Sequence, residues 1–393
     1  MKSSDLIWLI VGATAPSFLI SWLVAFAVRR WAPRWGLVDQ PGIGHKTHGQ
    51  PTPLGGGLAI WAGVMLAFAT GQLLLWLLPA CTWDESLAPR LLLEHAAGLR
   101  SKAPEVWFLL SSASLLMVLG LADDILQLGW RVRLLGQLVV VAAGVYLFDH
   151  WRLTVYLDLP LLTGLLSIVW IVGLINSFNM LDNMDGLSAG VAAISAVMLA
   201  ATMLMLSEPE GAHPQMFVAG FLLVLAGSLL GFLWHNLPRA RLFMGDAGSY
   251  FIGYCIGVAT ILATFAGHTN ASSHTILAPL CVMAVPFYDM LTVIAIRVRH
   301  GRSPFDADRS HFSHRLVDLG FSRPLAVLTI YLATFICGLA SLLLHQVNRW
   351  GALLIMLLVV SILVLIGILE TIARRKVAAQ YDASQVDNPN SSS

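Results

Sequence analysis

The chain has 393 residues, of which 57% are hydrophobic and 11% charged, with a mean hydropathy of +0.76. So apolar a composition excludes an ordinary soluble domain, and a net charge of +1 gives no reason to expect a nucleic-acid partner. Four cysteines form no disulfide framework, since Cys255, Cys281 and Cys337 fall inside apolar stretches and Cys81 stands alone in a connection.

Eleven apolar stretches follow one another: roughly 7–28, 55–79, 106–121, 134–149, 159–176, 187–206, 215–234, 249–267, 276–296, 324–344 and 350–371. Most approach the length that crosses a hydrocarbon core. Backbone groups in lipid must bond within their own segment, so the predicted fold is an all-α, polytopic membrane helix bundle of about 11 transmembrane helices. Ala25-Phe26-Ala27 resembles a cleavage site, but Arg29 and Arg30 follow at once, so the first stretch reads as a retained helix. Placing the N-terminus outside puts 17 of the 23 Lys and Arg on inner connections, which predicts an N-out, C-in topology. Residues 1–376 read as a single transmembrane catalytic domain and 377–393 as a polar, disordered cytosolic tail.

The inner connections hold nearly all the reactive side chains: 29–54, 122–133, 176–186, 235–248 and 297–323. Five polar loops therefore converge on one membrane face. In chain order, HKTHGQPTPLGGG comes first. It lacks the Lys-Ser/Thr of a phosphate-binding GxxxxGK[ST] loop, so its glycines permit close approach at a helix start, with Lys46 and His48 as candidate anion contacts. Asp123-Asp124 ends the third stretch, where two adjacent acids abut lipid and repel each other. In NSFNMLDNMDG, Asn176, Asn179, Asp182 and Asp185 recur every three residues, a spacing that lets them converge on an α-helix or a 3₁₀ turn.

His235-Asn236 closes the seventh stretch, and RLFMGDAGSYFIGY sets Asp246 between small residues just before the eighth. Phe243 reads as a lipid anchor or a stacking surface. Asp289 lies within the ninth stretch and needs a partner that the pattern does not name. In the last inner loop, Phe312, Leu316 and Leu319 form an apolar stripe, while His311, His314 and Arg315 share another face next to Arg309. A His/Arg face suits a diphosphate, with a solvated surface against anionic lipid as the plainer alternative.

Asn and Asp offer the oxygen ligands that suit Mg²⁺, with Mn²⁺ as a substitute. Together with the His/Arg loop they point to a diphosphate-containing substrate, and the position at the bilayer boundary points to a lipid head group as the other. The expectation is a Mg²⁺-dependent transferase acting on a lipid phosphate. A secondary transporter also fits eleven helices, but transporters place ionisable groups near the midplane, and here only Asp289 is plainly intramembrane.

DD at 123, NxxNxxDxxDG at 176–186, FMGDAGS at 243–249, PLGGG at 53–57 and the SPF…DRSH…H loop at 303–314 together resemble the polyprenyl-phosphate N-acetylhexosamine-1-phosphate transferases. The resemblance covers roughly residues 35–320 and is nearer the bacterial undecaprenyl-phosphate GlcNAc-1-phosphate branch of glycosyltransferase family 4 than the phospho-MurNAc-pentapeptide translocases. It implies a UDP-HexNAc donor, an undecaprenyl or polyprenyl phosphate acceptor, release of UMP, and a bacterial plasma membrane location with the site on the cytosolic face. Carried over, Asn179 and Asp246 would ligate Mg²⁺, and Asp123 or Asp124 would bind the metal–phosphate assembly or deprotonate the acceptor. Asp182 joins this catalytic group, and Asn176 lies on the substrate-binding face. Asp185, Asn236 and Phe243 would contact uridine, with His48 at the anion position before PLGGG and Lys46 a candidate beside it. His311, His314 and Arg309 would hold the diphosphate and sugar, and Arg315, on the same face as the histidines, is a candidate substrate contact from its position alone. The resemblance also admits a homodimer and leaves the donor open among UDP-amino sugars. Ser313 stands where this branch often has a middle histidine, which bears on sugar preference.

Overall fold

Hydrocarbon offers no water to bond the backbone, so the apolar stretches close their hydrogen bonds as helices. The computed structural model describes residues 3–39, 51–77, 90–153, 159–205, 214–266, 277–305 and 310–386. Its helices are α1 (Ser3–Trp31), α2 (Gly56–Leu77), α3 (Arg90–Leu126), α4 (Trp130–Leu147), α5 (Pro160–Leu181), α6 (Leu187–Met205) and α7 (Pro214–Asn236). They continue as α8 (Gly245–Ala266), α9 (Ala278–Val282), α10 (Ala284–Arg299), α11 (Phe312–Asp318), α12 (Arg323–Leu343) and α13 (Arg349–Val386). Pro160 and Pro324 sit in first turns, where a missing N–H costs nothing. A two-residue antiparallel pair, β1 (Val38–Asp39) with β2 (Thr52–Pro53), is the sheet among the described residues.

Ten helices among the described residues are long and apolar enough to cross a membrane. The expected ninth span, 276–296, instead breaks at Met283 into α9 and α10. Pro286 has no N–H to return to the carbonyl of Val282, so the ladder is interrupted there. At 16 residues, α10 is about 24 Å long, short of a ~30 Å hydrocarbon core. α13 runs to Val386, past the boundary set at 376 from composition, and 387–393 lie outside the described residues.

α8 is the central helix. It packs against α2, α3, α5 and α7 and is almost wholly buried. On α1, α4 and α13, Leu23, Leu135, Val139, Leu354 and Leu357 face outward, the surface a bilayer would cover. Small residues set the closest contacts around α8. A Cβ on Gly57 of α2 would lie 2.2 Å from the Gly248 nitrogen, and one on Gly120 of α3 would lie 2.3 Å from the Asp246 carbonyl oxygen. The first turn of α8 is thus clasped between α2 and α3. Backbone bonds complete the clasp, Gly56 and Gly57 N–H donating to the carbonyls of Phe243 (2.8 Å) and Met244 (2.9 Å).

Candidate active site

A helix begins with backbone N–H groups that have no intrahelical partner. In α8 the first three are met by acids from other segments. Gly245 N–H donates to Asp182, Asp246 N–H to Asp124 Oδ1 (2.9 Å) and Ala247 N–H to Asp124 Oδ2 (3.2 Å). The positive end of the helix dipole favours carboxylates there. Gly245 has φ +74°, and a Cβ on it would come within 2.6 Å of Asp124 Oδ2, so this turn suits glycine on two counts. Burial and the neighbouring carboxyls of Asp124 and Asp185 push the Asp182 carboxyl up to about 7.

Held this way, Asp246 meets the end of α5. Asn179 Nδ2 donates to Asp246 Oδ1 (2.6 Å) and to Ser249 Oγ (3.0 Å). Turning the amide about χ2 presents Oδ1 instead, the atom a cation would use. On the other side, the carboxyls of Asp123 and Asp246 are in hydrogen-bonding contact. Arg133 of α4 reaches both, at 2.9 Å from Asp123 Oδ2 and 3.6 Å from Asp246 Oδ2. Tyr250 O–H donates to Asp123 Oδ2 (3.3 Å). Carboxyls in contact repel once ionised, so the pocket's chemistry is that of a site for positive charge. No three His, Cys, Asp or Glu groups among the described residues already sit at metal-ligating spacing. What converges is one amide with one carboxylate, a sparse oxygen set that fits Mg²⁺ retaining water and substrate phosphate ligands.

Other predicted residues are placed around this centre. Asp185 Oδ2 accepts from Ala240 N–H (3.0 Å). Asn236 is 3% exposed with both ends of its amide engaged, accepting from Gly186 N–H (3.0 Å) and donating to the Leu242 carbonyl (2.9 Å). It therefore ties two loops together. Asn176 donates to Gln137 Oε1 (2.7 Å) and to the Val172 carbonyl (2.8 Å), which links α5 to α4. Phe243 N–H donates to the Pro53 carbonyl (2.9 Å), and its ring is half-buried. Lys46, His48 and Arg309 lie outside the described residues.

Helix α11 carries His314, and its N-cap is His311. The rings of buried His311 and half-buried His314 have centroids 6.4 Å apart. Ser313, 1% exposed, donates to Asn183 Oδ1 (2.5 Å), so it docks α11 on the turn between α5 and α6. Arg315 departs from the expected diphosphate contact. It is 2% exposed, paired with Glu370 of α13 at 2.9 Å, and donates to the Ser310 carbonyl (2.7 Å) and to Thr292. Glu370 also accepts from Tyr288 O–H (3.1 Å). Breaking a buried pair by removing one partner leaves an uncompensated charge, so Glu370→Gln should destabilise the protein by about 3 kcal/mol. A thermal melt in detergent checks this, and a melt identical to wild type would discount the pair.

Arg133, Tyr250 and Ser249 belong to the site although the motifs did not single them out. Arg133 reads in sequence as one more cation on an inner connection. Its signal is its place ten residues after Asp123, at the foot of an apolar helix that would otherwise bury it.

The bundle and its acid-lined end define a polytopic integral membrane enzyme. A model of the family Glycosyl transferase family 4 matches residues 106–264. The chain is 30% identical over 364 residues to a Bacillus subtilis protein named "probable undecaprenyl-phosphate N-acetylglucosaminyl 1-phosphate transferase", covering 91% of each chain. It is 33% identical over 377 residues to the decaprenyl-phosphate N-acetylglucosaminephosphotransferase of Mycolicibacterium smegmatis, covering 90% of this chain and 87% of the other. Identity is 28% over 360 residues with the undecaprenyl-phosphate alpha-N-acetylglucosaminyl 1-phosphate transferase of Escherichia coli, covering 87% and 86%. The chain belongs to glycosyl transferase family 4.

Proposed function

We propose that this protein transfers GlcNAc-1-phosphate from UDP-GlcNAc to undecaprenyl phosphate or a similar polyprenyl phosphate, releasing UMP. The observation that carries the reading is the meeting of Asn179 and Asp246 at the start of α8, beside Asp123 and Arg133. The names of the relatives supply the substrates, and the excess of Lys and Arg on the connections at this end supports a cytosolic site in a bacterial plasma membrane.

In this reaction an oxygen of the lipid phosphate forms a bond to the sugar-bearing phosphorus. The bond from that phosphorus to the bridging oxygen breaks, and the oxygen leaves with UMP. Asn179 and Asp246 would hold Mg²⁺, which when bound neutralises charge on the phosphate oxygens. Asp124 and Asp182 act one step back by fixing the first turn of α8 and so aiming Asp246. Asp123, backed by Arg133 and Tyr250, stands where it can take the proton of an acceptor phosphate, while Arg133 offsets the charge of that phosphate. His311 and His314 offer ring nitrogens to the diphosphate and sugar.

His311→Ala should raise KM for the nucleotide sugar about tenfold or more, the value of a lost hydrogen bond to a charged group. Steady-state kinetics check it, and an unchanged KM and kcat would contradict the assignment. The reaction itself is tested by incubating purified protein, undecaprenyl phosphate and Mg²⁺ with a panel of UDP-sugars while measuring UMP and the lipid product. UMP formed from UDP-GlcNAc with a matching lipid-linked diphosphate sugar is expected. Preference for another UDP-amino sugar would change the donor, and no UMP from any of them would overturn the reading.

A further inference from the structure

Asp289 is a buried acid that the chemistry above leaves without a role. It is 1% exposed, on α10, with its two oxygens divided between two donors. Oδ1 accepts from the backbone N–H of Phe312 at 2.6 Å, which caps the first turn of α11. Oδ2 lies 2.9 Å from Nδ1 of His311. We infer that Asp289 is a positioning residue that holds the Nδ1–H of His311 and so turns Nε2 toward the nucleotide donor, where the doubly protonated ring donates Nε2–H to a phosphate oxygen. This inference rests on the reading of the site given above.

A cap alone does not account for the residue. Asn caps a helix as well as Asp does and would bring no charge into a buried position. The carboxylate differs from an amide at its second oxygen, and that oxygen meets the imidazole. An ionised carboxylate only accepts, so Nδ1 must be the donating nitrogen. Nε2 is then the one ring nitrogen left, and among the described residues no hydrogen bond engages it. When the ring carries its second proton, Nε2–H donates to an anionic oxygen. The rest of α11 is pinned independently, by Ser313 on Asn183 and by Arg315 on Glu370. Asp289 is therefore the contact that decides the ring's orientation and tautomer rather than the placement of the helix. Two segments separated in sequence, α10 and the start of α11 with its N-cap His311, make one unit of acid, imidazole and ligand-facing nitrogen.

The test uses full-length protein in lipid nanodiscs and the variants Asp289→Asn, His311→Asn and the double variant. Asn keeps an oxygen for Phe312 N–H but offers an NH₂ group to the ring, which forces Nδ1 to accept, moves the proton of the neutral ring to Nε2 and removes the carboxylate that supports the doubly protonated ring. Histidine ¹⁵N spectra without substrate, with the His311 signal identified by its loss in His311→Asn, should show Nδ1–H in wild type and Nε2–H in Asp289→Asn. With UDP-GlcNAc, undecaprenyl phosphate and Mg²⁺, kcat/KM for the nucleotide sugar should fall about 10–100-fold in Asp289→Asn, the usual cost of losing an outer partner of a working imidazole. The melting temperature should stay near wild type. In the His311→Asn background, adding Asp289→Asn should cost little more. An unaltered His311 spectrum, or an equal loss with and without His311, would overturn the inference and reduce Asp289 to a cap. If wild type turned over no UDP-sugar, the functional reading would fail, while the spectra would still decide the tautomer.

Discussion

Asp246→Asn is expected to abolish UMP release, with a loss of at least about 10³-fold, while the protein still inserts and folds. The substitution keeps side-chain volume and leaves the α8 cap intact, because the backbone N–H groups of residues 246 and 247 still reach Asp124. What it removes is a negative charge beside Asn179, and fixed charges aimed at a reacting phosphoryl group are among the largest single contributions to such catalysis. The change should also relieve the contact between the carboxyls of Asp123 and Asp246, so thermal stability should hold or rise. Loss of activity together with gained stability would separate a functional group from a structural one. Turnover near wild type would take Asp246 out of the proposed metal site.

Gly120→Ala should do comparable damage without touching a polar atom. A Cβ there would lie 2.3 Å from the Asp246 carbonyl oxygen, 2.4 Å from its carbonyl carbon and 2.5 Å from the Ala247 nitrogen. All three are backbone atoms, so no side chain can swing aside and α3 must move away from α8. The same movement draws Asp124 off the α8 amides and displaces Asp246. A shift near 1 Å at a catalytic group can cost about 10²-fold in rate. Overpacking of this kind costs about 1–3 kcal/mol in stability. Gly71→Ala is the control, since a Cβ on Gly71 of α2 meets nothing within 4 Å. Parallel assays and melts of the two variants test the argument, and full activity in Gly120→Ala would show that α3 and α8 tolerate separation.

Much of this architecture was legible before any coordinates. Long apolar runs give helices in a membrane for want of any other way to bond the backbone, so ten long helices lie where hydropathy set them. The broken ninth stretch was missed because its composition resembles its neighbours, and only the register of Pro286 against Val282 interrupts it. The meeting of Asn179 and Asp246 was expected from their motifs, although 67 residues separate them. Arg315 shows the limit of such reading. Helical spacing groups it with His311 and His314, but a seven-residue helix enclosed by α10, α12 and α13 buries more than its apolar stripe. Glu370, which receives it, stands 55 residues further on. Asn236 has a structural part that its motif does not announce, because a polar side chain beside a loop can bond the loop's backbone as readily as a ligand. Asp289 carried a sound signal, an acid within an apolar run. Its partner became visible only once the break in the ninth stretch had brought α10 beside α11.

On the proposed function, Asn179 and Asp246 share a divalent cation that faces the donor diphosphate. Electron paramagnetic resonance of Mn²⁺ titrated into the nanodisc protein with UDP-GlcNAc tests this most directly. Wild type should bind one Mn²⁺ that is lost on chelation, and Asp246→Asn and Asn179→Ala should each weaken it at least tenfold. Mn²⁺ bound with unaltered affinity and an unaltered spectrum in both variants would contradict the account.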